Sequence, residues 1–114
     1  MNISFDHLNA TTRLIVTTNT NKTLRQIEDG EKIGQVLAVV KKYQTDWDVP
    51  TAGVPVANLR LNFYMGDKLL GNIGLGRTFL TALHQGNFVS RPFDLTTYNE
   101  VLKLLDMELK LKRP

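Results

Sequence analysis

The spacing of hydrophobic positions changes along the chain, and each change predicts an element. The β-branched run TRLIVTT, residues 12–18, predicts a first strand, and the TNTN that closes it is turn chemistry. Ile33, Val36, Leu37, Val40 and Tyr43 then recur at helical spacing. Asp29 is suited to the N-cap, and Glu31 falls in the first turn, where the helix dipole favours an acid. A helix is expected over residues 30–44, with Lys41 and Lys42 near its C-terminal end.

Residues 58–65, NLRLNFYM, alternate strictly. Leu59, Leu61, Phe63 and Met65 share one face, Asn58, Arg60, Asn62 and Tyr64 the other, the pattern of a half-buried antiparallel strand. A turn at Gly66 and Asp67 leads into KLLGNIGL, where Leu69, Ile73 and Leu75 are expected on the buried face. A two-residue loop would pair Met65 with Lys68 and turn these side chains outward. Parity therefore predicts an odd loop, Gly66-Asp67-Lys68, or a bulge near it. Leu61 then faces Ile73, Leu59 faces Leu75, and Tyr64 lies across from Leu70. Further strands are expected at residues 78–83 and 88–91, separated by a turn at 84–87 and ended by Pro92. The last helix is expected to open on Thr96 or Thr97, the latter giving a capping-box spacing to Glu100. Tyr98, Val101, Leu102, Leu105 and Leu109 line one of its faces. Residues 1–11 and 110–114 are expected to fray.

The order β-α-β-β-β-β-α, with short connections between the last four strands, predicts one α+β domain of two layers. Its antiparallel sheet should have four or five strands, with two helices on one face. The expected shared core is Val36, Leu37, Val40, Leu59, Leu61, Phe63, Ile73, Val101, Leu102 and Leu105. This order is similar in topology to the repeat unit of the TATA-binding-protein fold. The likeness implies a layered architecture and no particular activity, since that topology serves many functions and no sequence motif of the family accompanies it.

A length of 114 residues is that of one ordinary domain, and 42% hydrophobic with 22% charged residues is a globular composition. The chain has no cysteine, which removes thiol catalysis, disulfides and thiolate metal sites. The N-terminal stretch lacks the basic and apolar regions of a secretory signal, and no apolar run reaches the roughly 18 residues of a membrane span. The expected location is the cytoplasm, without a membrane partner; a removed leader is compatible with the same residues. The net charge of +3 is carried by residues 49–93, where Arg60, Lys68, Arg77 and Arg91 meet one acid, Asp67.

The glycine-rich stretch LGNIGLG, residues 70–76, invites a comparison with phosphate loops. A dinucleotide fingerprint needs G-x-G-x-x-G between a strand and a helix, whereas here the order is G-x-x-G-x-G and the following RTFLTAL reads as strand. Gly71, Gly74 and Gly76 are better read as places where a strand bends or a neighbour approaches closely. His7 and His84 lie far apart and read as solvated residues, and Asp46 and Asp48 as solvated loop carboxylates. No metal-ligand or nucleophile motif occurs, so no cofactor, metal or catalytic residue is assigned.

Two features point to binding. Trp47 lies in a long connection, residues 45–57, where it either plugs the core or offers an interface anchor. The outward face of residues 58–65 presents Arg60 and Tyr64, with Arg77 and Arg91 in the same basic segment. The leading expectation is a non-catalytic protein-binding module, regulatory or inhibitor-like, whose partner is another protein. The alternatives are a nucleic-acid binder that stacks Tyr64 on a base and meets phosphates with the arginines, and a small enzyme with a dispersed site.

Overall fold

The strictly alternating residues form the centre of the molecule. In the computed structural model, which describes residues 1–53 and 55–107, they make strand β3 (Leu59–Met65), flanked by β1 (Arg13–Thr18) and β4 (Lys68–Leu75). The other strands are β2 (Thr23–Ile27), β5 (Phe79–His84) and β6 (Asn87–Pro92). They build one antiparallel sheet in the order β2-β1-β3-β4-β5-β6. Helices α1 (Gly30–Val40) and α2 (Leu95–Leu104) bury their apolar sides in the same core as the inner sheet residues. All ten expected core residues are buried.

The sheet has six strands, not four or five, because β2 precedes the first helix and displaces the expected β-α-β-β-β-β-α order. Its sequence, TLRQI, carries little apolar signal because it is an edge strand, largely exposed and, among the described residues, paired on one side alone, with β1. Helix α1 begins where expected, with the Asp29 side chain accepting from the Glu31 amide at 2.9 Å. It ends at Val40 rather than residue 44. Tyr43 leaves the helix to pack edge-on against Phe93, ring centroids 5.0 Å apart, and the Gln44 carbonyl accepts from the Ile3 amide at 2.8 Å.

Neither expected threonine caps α2. Asp94 does so, accepting from the Thr97 amide at 2.8 Å and the Thr97 hydroxyl at 2.7 Å. A carboxylate outcompetes a hydroxyl here because it accepts both donors at once. The Thr97 hydroxyl, its amide and the Tyr43 hydroxyl together hold the Asp94 carboxyl below its ordinary pKa. The far end of α2 is tied down by Lys32, which donates to the Asp106 carboxylate at 2.9 Å, and by Arg25, which donates to the Asp106 carbonyl at 2.8 Å. The expectations for Leu109 and residues 110–114 lie outside the described residues.

The β3–β4 hairpin corrects the odd-loop expectation. Met65 pairs directly with Lys68 across the two-residue turn Gly66-Asp67, and Gly66 takes the positive φ of 60° that such a turn requires at its first central position. Parity is restored by the alternative device, a bulge: Tyr64 pairs with Leu69, Phe63 with Gly71, and Leu70 is the extra residue. Leu69 therefore faces outward, 46% exposed, and Leu70 packs against the core in its place. Beyond the bulge, Leu61 faces Ile73 and Leu59 faces Leu75, as the parity argument requires.

The N-terminal residues do not fray. Ile3, Phe5 and Leu8 are buried, and a 3₁₀ turn, Asp6–Ala10, leans on β4 at Gly71, where the absent side chain makes room for His7 and Leu8. On the opposite face, Gly74 admits the connection before β3: a Cβ there would come within 2.9 Å of the Ala57 methyl and overlap the Thr81 hydroxyl. Two of the three glycines thus mark close approaches on opposite faces of one strand.

Two measurements check this account. Phe63→Ala should cost about 3–5 kcal/mol in chemical denaturation, because Phe63 is fully enclosed between layers. The folded-state pKa of Asp94 lies below its unfolded value, so its contribution is present above about pH 4 and is lost as pH falls through the folded value. The stability difference between wild type and Asp94→Ala should accordingly be largest at neutral pH and shrink on acidification.

Candidate functional site

Strand parity sorts the basic segment onto different parts of the molecule. Arg60 and Tyr64 both point outward from β3, as their spacing requires. Arg60 is exposed. Tyr64 is half-buried, and one face of its ring is covered by the Arg13 guanidinium, 5.2 Å from the centroid. Arg13 is held there by donating to the Gly66 carbonyl at 2.9 Å.

Arg77 is exposed in the connection between β4 and β5. Arg91 pairs with Leu80, which places it on the inner face at the sheet margin. There it stacks over Tyr43 at 4.8 Å and donates to the Thr45 carbonyl at 2.6 Å, so it secures the connection after α1. The expected arginine cluster is divided between two faces.

Trp47 is drawn into the core, 0% exposed, and offers no interface anchor. Its indole N–H donates to the Tyr43 carbonyl at 2.7 Å, and its ring meets Phe5 edge-on with centroids 6.0 Å apart. Asp48, next to it, makes paired backbone hydrogen bonds of 2.9 Å with Ser90 on the free side of β6. The long connection is therefore anchored at both the core and the sheet edge.

What the outward face does gather is a groove of about 260 Å³ around Arg60. Residues 55–57 form one wall; Asn72, Gly74, Thr81 and Phe88 line the rest. Among the described residues, Arg60 is the sole charged side chain in the lining. Beside it, Leu83 and Phe88 are directly paired across β5 and β6, 59% and 53% exposed, and Val56 is exposed as well. Sequence reading passed over Phe88 and Leu83. The signal was available for Phe88: in FVSR, Val89 must face the core, which turns Phe88 and Ser90 outward.

A second hollow, about 280 Å³, opens between β4 and β5 and brings His7 and His84 to its lining from opposite ends of the chain. Their sequence separation concealed this, since it takes the packed N-terminal segment to carry His7 to β4. Among the described residues, no group of three or more histidine, aspartate and glutamate side chains is arranged to hold a metal ion. No described helix is long and apolar enough to cross a membrane. Compared with known proteins, the chain matches no family model, no curated protein and no solved structure.

The two arginines should separate in their effect on stability. Arg91→Ala removes a charged hydrogen bond and a stacked cation and should cost about 1–2 kcal/mol. Arg60→Ala, on an exposed position, should stay within about 0.5 kcal/mol of wild type by the same denaturation measurement.

Proposed function

We propose that the protein is a non-catalytic protein-binding module that receives its partner on the outward sheet face, around Arg60 and the Leu83–Phe88 pair. The observation that carries this reading is the adjacency of an exposed aromatic–aliphatic cross-strand pair and an exposed guanidinium at a preformed groove. Apolar side chains at these exposures cost solvation free energy in the free protein and return it on docking. Arg60 supplies orientation, since a guanidinium can grip a carboxylate through two parallel hydrogen bonds.

Protein is favoured over nucleic acid by the distribution of side chains. Stacking of bases calls for open aromatic faces, and phosphate tracking calls for cations along one surface. Here Arg13 occupies one face of Tyr64 and Arg91 is engaged on the other side of the sheet. Leu83 and Val56 suit an apolar protein side chain better than a base edge.

The reading is tested by immobilising the protein and capturing partners from a native lysate with and without nuclease. Binding of the recovered partner by wild type is then compared with that by Arg60→Ala/Phe88→Ala. The double variant should keep its fold and lose at least about tenfold in affinity, because exposed Arg and aromatic positions concentrate binding energy. Undiminished binding by the folded variant would exclude this face.

A further inference from the structure

Strands β4 and β5 share only three pairs, Ile73 with Ala82, Gly74 with Thr81 and Leu75 with Leu80. Yet β4 extends back to Lys68 and β5 onward to His84. Continuing the register would pair Asn72 with Leu83 and Gly71 with His84. Instead the pairing stops at Ile73 and Ala82, and the hollow that both strands line there is the one bearing both histidines. Its floor, on the inner side, is apolar and supplied by the N-terminal segment through Ile3, Phe5 and Leu8. It meets the Arg60 groove at two shared residues, Asn72 and Ala82.

We infer that this split is a strand-insertion site, in which an extended, acidic peptide segment of the partner adds main-chain hydrogen bonds between β4 and β5. The inference rests on the protein-binding reading above and specifies its ligand. Where the pairing stops, alternation turns the backbone groups of Asn72 on β4 and Leu83 on β5 toward whatever lies between them, and an extended chain is a ligand that reaches both walls. Side chains of such a chain alternate. One set turns down onto the apolar floor, and the other emerges on the outward face, the side on which Arg60 lies. The sign of the partner follows from the walls: among the described residues lining the two hollows, Arg60 is the side chain charged at neutral pH, and there is no carboxylate among them. An acidic segment is therefore matched in charge and a basic one is opposed.

The test uses the intact protein and a blocked six-residue peptide alternating valine and glutamate. Its comparators are two forms N-methylated on either alternate set of amides, and a form with lysine in place of glutamate. Backbone resonances and amide exchange report the site. The expected result is slowed exchange at Asn72 and Leu83, whose amides face the split by strand alternation, a loss of about tenfold or more in affinity for at least one N-methylated form, and weaker binding of the lysine form.

Insertion is overturned if no binding occurs up to about 5 mM peptide, a concentration at which even weak augmentation registers. It is also overturned if the N-methylated forms bind undiminished with shifts confined to Arg60, Thr81 and Phe88; that outcome leaves the open-face reading standing. An oligothymidylate that protects the same amides, or protection that grows with protein concentration alone, would assign the split to a nucleic acid or to a second copy and likewise overturn it. Loss of partner binding in Arg60→Ala/Phe88→Ala, by contrast, concerns the outward face alone.

Discussion

The inner face of a six-stranded sheet has to be covered, and the described residues supply two short α-helices with which to do it. Six strands span about 24 Å at their ordinary spacing, whereas two packed helices cover about 20 Å, and these run for only eleven and ten residues. The deficit falls over β4 and β5. It is met by segments with no regular structure of their own: Ile3, Phe5 and Leu8 from the N-terminus, and Trp47 from the connection after α1. The edge-on contact of Phe5 with Trp47 joins these two improvised covers into one.

That shortage also explains why the tryptophan is unavailable for binding. A large apolar side chain in a long loop is recruited wherever the core lacks a lid, and here its indole N–H finds the Tyr43 carbonyl so that burial leaves no donor unpaired. Arg91 and Tyr43 belong to the same repair, stacking beneath the loop that delivers Trp47. The outward face, which needs no such cover, keeps its exposed side chains.

What could be read from the chain was what alternation and helical spacing encode. The faces of β3, the ten core residues, the Asp29 cap and the pairing of Leu61 with Ile73 are all local patterns projected through strict geometry. The failures have local causes too. The β2 strand is an edge with two apolar residues in five, too few to register as alternation. At the β3–β4 turn, an odd loop and a bulge satisfy the same parity, and only the bulge lets Leu70 reach the core. Of the candidate site, Arg60 was legible because its direction follows from β3, whereas Tyr64 points the same way but does not line the groove. Leu83 and Phe88, and the meeting of His7 with His84, depend on where the β4–β5 pairing stops and on a packed N-terminus, neither of which leaves a mark in residue spacing.

The Asp48–Ser90 bridge makes the two margins of the sheet unequal. On the β6 side Asp48 already occupies the ladder and breaks its continuity; among the described residues the β2 side carries no such bridge. Runaway stacking of sheets end to end needs two complementary free margins on every molecule. The loop that fetches Trp47 for the core thus also interrupts the open ladder of β6.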